Sequence, residues 1–383
     1  MKILLGSLFG SYIDDDIYFF LKSMGYDCMR ISYLSNDQDR YDDDNLLNSI
    51  ENDLKEGNYD CLYTTNFWPL AALSAHNVGI PYISWSYDSP PNLPSEKYMD
   101  FDTNYIYFFS KDDVENYRNK GLNNVFHMPL AVNANRWDKV TDYNKYRCDI
   151  AFIGSLYRST LPTLKTRMNE YQKAYIDAVI DNQRKIYKAY VVDQLITDKL
   201  TDEICQTYRE IDPGSIQPSR KQLIYSVASQ VSYLDRMTII KLLGDRYNTH
   251  FYTDDINKDE RRILSSAKIH GKVDYLTQMP KVFKGAKINL APTFRGNCSG
   301  IPLRVLDIMG CNSFALCSYQ PEIEENFKDG RDVVMYTSIE ECIDKTDYYI
   351  KHDSERIKIS ENAYNIVKKE FNYPSALKKM FNL

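Results

Sequence analysis

The chain has 383 residues, long for one hydrophobic core and comfortable for two domains. Charged residues at 26% and hydrophobic ones at 43% are what a soluble globular protein ordinarily has. The net charge of −6 gives a nucleic-acid or anionic-membrane partner no electrostatic support, and no apolar run reaches the roughly 18 residues of a membrane span.

The opening run KILLGSLFG reads as a strand entering a Gly-bearing turn. A signal peptide is disfavoured there, because only one Lys precedes the apolar stretch, no small-residue cleavage site follows and the run ends in three Asp. DDIYFFLKSMG is a helix closed by Gly25, YDCMRISYL a second strand, and DDDNLLNSIENDLKEG an amphipathic helix with Asp at its positive end. YDCLYTTN, PYISWSY, YIYFFS and NVFHMPL follow as further strands. Such βα alternation predicts a parallel sheet with helices on both faces over residues 1–147.

CDIAFIGS begins a second unit, residues 148–383. Residues 160–245 are polar and helical, with few turn signals before DPGSIQP, and read as an insertion of two long helices plus a third. Alternation resumes with THFYT, AKIHG, AKINLAP, a short helix from Pro302, SFALCSY and DVVMYTS. Residues 338–381 are helical, broken near Pro374. The fold class expected is α/β, two Rossmann-like domains with a ligand in the cleft between them, at the carboxyl ends of the strands. The eight cysteines show no CxxC spacing and no accompanying His cluster, so reduced thiols in the cytoplasm are expected rather than a metal site.

The stretch NCSGIPLRVLDIMG, residues 297–310, carries the most chemistry. Its helix is apolar nearly all round, yet Arg304 and Asp307 sit three residues apart on one face. Pro302 suits the first turn, and Ser299 or Asn297 can cap it. Gly296 and Gly300 allow backbone to approach a ligand, and the free N–H groups of the helix start, with Ile301 among them, favour a phosphate. A basic group by a phosphate and a carboxylate by a sugar diol is what a nucleotide requires. The competing reading is an internal Arg304–Asp307 ion pair, although buried pairs contribute little net stability.

Two sites in the first half are open to two readings each. Gly6, Ser7 and Gly10 belong either to a structural turn or to a loop approaching a donor diphosphate or an acceptor. Asp88, before Pro90 and Pro91, either orients or deprotonates an acceptor hydroxyl or is turn chemistry. Asp100 and Asp102 in DFD precede a strand, the wrong order for a metal-binding DxD loop, and the five His are scattered.

The block from IHGKVDYL through NCSGIPLRVLDIMG to DVVMYTSIEE resembles the C-terminal half of the CgeB-like bacterial glycosyltransferases, relatives of the family-4 retaining enzymes. IPYISWSYDSP, FHMPLAVNANRW and CDIAFIGSLYRSTL extend the resemblance over most of the chain. It implies a GT-B fold, a UDP-linked sugar as donor and a hydroxyl acceptor in a glycan, glycolipid or protein. It further implies a retaining reaction with no metal and no cofactor beyond the donor. By the same resemblance Gly271, Lys272 and Val273 flank the nucleobase, Asp307 takes the ribose, and Gly154, Ser155 and Arg158 form a second phosphate-side contact. Ser299 stands where the family has a Glu that contacts the sugar, a departure that leaves the sugar's identity open. The expected location is the cytoplasm, free or peripheral to the inner face of the membrane. The rival readings are a metal-dependent GT-A enzyme and a non-catalytic nucleotide- or sugar-binding protein.

Overall fold

The structure is a computed structural model that describes residues 1–8, 10–33, 42–91, 93 and 95–382. Phe9 of the Gly6–Ser11 turn and Leu34, the end of the second expected strand, lie outside the described residues. The fold is α/β, with two six-stranded sheets, each parallel throughout. The chain divides into two compact units.

The first unit comprises Met1–Trp137, Ser299–Gly310 and Asn365–Leu383. Its strands are β1 (Lys2–Ser7), β2 (Asp27–Ser32), β3 (Cys61–Thr65), β4 (Tyr82–Ser86), β5 (Asn104–Phe108) and β6 (Val125–His127), in the order β2-β1-β3-β4-β5-β6. The inner strands are buried nearly end to end, as a sheet covered on both faces requires. One face packs Leu4, Leu62, Ile106 and Phe108 against Ile50 and Leu54 of the helix Asp44–Gly57 and Ala71 and Ala75 of the helix Pro69–Val78. Asp43 caps the first of these helices by accepting from the amides of Asn45 and Leu46. On the other face, Tyr373 of the helix Tyr373–Phe381 stacks on Phe20 with ring centroids 5.5 Å apart, and Phe381 lies 5.8 Å from Tyr26.

The second unit comprises Asp138–Cys298 and Cys311–Tyr364. Its strands are β7 (Cys148–Ile153), β8 (Thr249–Tyr252), β9 (Lys268–His270), β10 (Ala286–Ala291), β11 (Ala315–Ser318) and β12 (Val334–Tyr336), in the order β12-β11-β10-β7-β8-β9. Between β7 and β8 stand the helices Leu161–Lys165, Glu170–Lys185, Val192–Leu195, Asp198–Ile211 and Arg220–Gly244. They enclose a core of their own, built on Ile176, Ile196, Ile204, Leu223 and Val227. Two of these helices start at capping boxes, Asn169 with Gln172 and Ser219 with Gln222. The helices Ile339–Tyr349 and Asp353–Glu370 follow β12, and the break before Pro374 falls at Phe371–Asn372. No helix among the described residues is long and apolar enough to cross a membrane.

Candidate functional site

Strand order reverses once in each sheet, and in α/β sheets ligands bind outside the carboxyl ends of the strands at that point. In the first unit the reversal lies between β1 and β3, because β2 flanks β1 on its other side. In the second it lies between β7 and β10. A buried charge ties the two strand ends together in each case. Asp14, 2% exposed, accepts from the hydroxyls of Ser7 at 2.8 Å and Thr65 at 2.6 Å. Arg236, 6% exposed, donates to the carbonyls of Ser155 and Pro292, with its guanidinium 4.4 Å over the Tyr157 ring.

Above the first reversal the side chains are arranged by the turns after β3 and β4. Asn66 adopts the left-handed conformation at φ 62°, which Asn tolerates better than most residues. Its side-chain oxygen accepts from the Tyr87 amide at 2.9 Å and its amide donates to Asp88 at 3.2 Å. Burial raises the Asp88 carboxyl above its ordinary range, and the Asn66 hydrogen bond opposes the shift. Tyr12, after β1, has its phenol pushed up to about 12, first by burial, then by Asp307, with Arg304 opposing and Asp88 adding. Tyr12, 46% exposed, and Asp88 both keep solvent-facing surface, so water remains in contact with each. Tyr12, Asp88, Arg304 and Asp307 thus form one electrostatic neighbourhood within the first unit.

The Arg304–Asp307 pair sits on the helix Leu303–Gly310, whose tight packing explains its apolar surface: a side chain on Gly310 would come within 2.9 Å of Trp137. The two charges are 3.4 Å apart, with Asp307 1% exposed and Arg304 31% exposed. The internal ion pair therefore forms, with Arg304 partly exposed and Asp307 buried.

Several neighbouring residues are committed otherwise than the sequence indicates. Ser299 reaches a different helix from the one that follows it. Its hydroxyl shares a hydrogen bond with Ser110 at 2.9 Å and accepts from the Asp112 amide at 3.1 Å, so it caps the helix Lys111–Asn119. Gly300 answers to packing, since a Cβ there would lie 2.6 Å from the Phe109 ring. Ile301 is buried, Pro302 precedes the helix, and Asn297, also buried, accepts at its carbonyl from Gln320 at 3.0 Å.

Gly6 and Ser7 are strand residues, and the Ser7 hydroxyl belongs to Asp14, so of the loop set only Gly10, at φ 72°, lies in the turn. The Gly154 amide is taken by the Tyr252 carbonyl at 3.1 Å, and the Ser155 carbonyl by Arg236. Arg158 is held by Glu260 at 2.7 and 3.0 Å and by Asp255 at 3.0 and 3.1 Å, which raises its guanidinium further and leaves a phosphate in competition with two carboxylates. By contrast, the Gly271–Lys272–Val273 backbone after β9 is open: Gly271 and Lys272 are exposed, and a Cβ on Gly271 would touch nothing.

His270, ending β9, lies 3.2 Å from the Nδ1 of His250, and burial lowers both imidazoles, His250 to about 4. The DFD aspartates precede β5, as their order in the sequence indicates. Among the described residues no three His, Cys, Asp or Glu side chains gather where they could hold a metal ion, and the eight cysteines are free thiols.

Sequence reasoning missed Tyr12, Asn66, Arg236 and Gln320. Only Arg236 left a signal: Asp235–Arg236 interrupts an otherwise uncharged helical run, and both side chains are buried.

Residues 221–382 match the glycosyl transferase-like family. No curated protein matches the chain in sequence. Solved structures match over nearly the whole chain. Sucrose-phosphate synthase from Thermosynechococcus elongatus aligns at a TM-score of 0.60 and 9% identity, covering 99% of this chain and 97% of that one. A glycosyltransferase from Rickettsia africae aligns at 0.58 and 11%, covering 99% and 96%. Anabaena Alr3699/HepE, in complex with UDP and glucose, aligns at 0.55 and 12%, covering 99% and 98%. Likeness at such identities speaks to architecture alone. The chain has the fold of the GT-B glycosyltransferases, and its residues 221–382 are glycosyl transferase-like in sequence.

Proposed function

We propose that the protein is a glycosyltransferase that moves a sugar from a UDP-linked donor to a hydroxyl acceptor in a glycan, glycolipid or protein. The observation that carries this reading is the Arg304–Asp307 pair: a partly exposed arginine side chain and a buried carboxylate one turn apart, beginning at a helix amino terminus. Arg304 takes the donor's diphosphate and Asp307 the ribose hydroxyls. The helix amides and Arg304 neutralise the charge that develops on the leaving diphosphate, which is electrostatic catalysis without a metal. Arg158 is dropped from the phosphate contacts because carboxylates already hold it.

Three further observations support the reading. They are the glycosyl transferase-like match of residues 221–382, the CgeB-like resemblance of the same region, and the UDP and glucose bound by the similarly folded HepE. A retaining outcome rests on that resemblance alone.

Asp88, with its raised carboxyl and its Asn66 tether, is assigned to the acceptor hydroxyl. The test is a panel of nucleotide sugars scored for released sugar and free nucleotide, with and without chelator, on the wild type and on Asp307→Ala. The expected result is turnover of a UDP-sugar that survives chelation, with the donor KM of Asp307→Ala raised at least tenfold and its melting profile still cooperative. Turnover abolished by chelation and restored by manganese would refute the metal-independent reading. An unchanged KM would remove Asp307 from the ribose.

A further inference from the structure

A cavity of about 440 Å3 opens at the amino ends of β10 and β11, and every residue that lines it belongs to the second unit. Its walls are drawn from residues 140–143, 284–287 and 311–314 and from one face of the helix Asp353–Glu370. Ala286 is the first residue of β10, and the six residues of that strand put its carboxyl end about 20 Å away. Substrates of α/β sheets bind outside the carboxyl ends, so this cavity lies at the opposite edge from the expected donor crevice. Its volume falls in the range of about 300–1,000 Å3 that small-molecule sites occupy.

The charges on the walls are uneven. Among the described residues they carry three cations, Lys284, Lys287 and Arg356, and one carboxylate, the exposed Glu361. Lys284 donates to the Val140 carbonyl at 3.1 Å, which fixes its ammonium across the cavity wall. Arg356, with its side chain 8% exposed, donates to the Tyr349 carbonyl and to Asp353 at 2.6 Å. Lys287 lies 2.9 Å from Asp149. The Asp353 carboxyl is held below its ordinary range, first by the Arg356 hydrogen bond, with Lys287 adding, so both cations reach the same carboxylate. Asp353 itself is 72% exposed, and ion pairs to such a partner contribute little, so they leave the cations available to a stronger anion. Thr141 and Tyr143 place hydroxyls on the remaining wall.

We propose that this cavity binds a small organic phosphate, of the size of a hexose monophosphate, at a site separate from that of the donor. The cations come from two sides, the 284–287 segment and the helix Asp353–Glu370, and a phosphate offers three oxygens in different directions where a carboxylate offers two in one plane. The phosphate lies among Lys284, Lys287 and Arg356, and the sugar hydroxyls face Thr141 and Tyr143. Glu361 opposes the anion and so limits its affinity. The site goes beyond the glycosyltransferase reading and does not depend on it.

The test is calorimetric titration of the full chain with glucose 1-phosphate, glucose 6-phosphate, inorganic phosphate and glucose, each with and without saturating UDP. At least one hexose phosphate should bind tenfold or more tightly than glucose and inorganic phosphate, and should do so with UDP present. Lys284→Met and Lys287→Met should each weaken that binding about tenfold, Glu361→Gln should strengthen it about twofold, and none should change UDP affinity. The proposal is overturned if neither hexose phosphate outbinds glucose, if UDP displaces the one that does, or if Lys287→Met binds it as the wild type does. Should Lys284→Met fail to fold, Lys287→Met and Glu361→Gln decide, because both replace exposed side chains. A wild type that binds the hexose phosphate in this pattern but no UDP would support the site and overturn the donor reading instead.

Discussion

Replacing Arg304 with methionine separates the phosphate role of this residue from its place in the fold. Methionine keeps much of the apolar stem and removes the guanidinium fork. A charge-assisted hydrogen bond to phosphate contributes about 1.5–3 kcal/mol, and each 1.4 kcal/mol is about tenfold in affinity, so UDP should bind Arg304→Met about 10- to 100-fold more weakly. Uridine, which has no phosphate, should bind both proteins alike. The internal pair sets the structural cost. Its 3.4 Å separation and its 31% exposed arginine place it between exposed and buried ion pairs, while Asp307 at 1% exposure is fully withdrawn from water. Losing such a pair should cost about 1–3 kcal/mol, which a fold with about 5–15 kcal/mol of stability survives. The assay is calorimetric titration of UDP and of uridine into both proteins, with a melting curve for each. Equal losses for the two ligands would refute the reasoning, because Arg304 would then be supporting the pocket's shape rather than holding a phosphate.

Asp88→Asn should lower transfer while leaving UDP affinity intact; unchanged transfer would remove Asp88 from the acceptor side. Because the folded-state pKa of Asp88 is raised, its ionisation lowers stability as pH rises through that pKa. Asp88→Asn should therefore raise the melting temperature near neutrality and have no such effect below the carboxylate range. His250 behaves in the opposite sense. Its folded pKa is depressed from 6.5 to about 4, mainly by burial and then by His270 and Lys268. Its contribution to stability is complete above 6.5 and is lost as pH falls towards about 4. The melting temperature should drop across that window, and a drop of equal size in His250→Gln would show that other groups cause it.

The inner strands were legible because each is a short, mostly apolar run bounded by turn residues, and parallel strands covered on both faces have no polar side to obscure the pattern. Helix starts were legible where a capping residue stands next to its helix, as at Asp43. The commitments of the site residues were not, because their partners are distant in sequence. Ser299 caps a helix 187 residues earlier in the chain, and nothing in NCSGIP points to Ser110 or Asp112. Arg158 in GSLYR looks free for a phosphate until the fold brings Glu260 to it across 102 residues. Gly300 reads as room for a ligand, whereas the space is filled by Phe109. Local pattern therefore reports which residues carry charge or lack a side chain, and long-range packing decides what each of them faces. Arg304 and Asp307 are the exception, because their spacing on one helix already fixes them as neighbours.

The return of residues 365–382 to the first unit bears on how the chain is made. Until Tyr373 and Phe381 emerge from the ribosome, Phe20, Tyr26, Tyr63 and Trp85 lack the rings that pack 5.5, 5.8, 6.0 and 6.3 Å away. The first sheet is synthesised early and finished late, with the entire second unit translated in between. Its aromatic face stays uncovered throughout that interval, an exposure of the kind that recruits chaperones and favours aggregation. Expressed alone, residues 1–137 would keep that face permanently. The opening strands of this protein thus depend, for their solubility, on a helix encoded hundreds of nucleotides downstream.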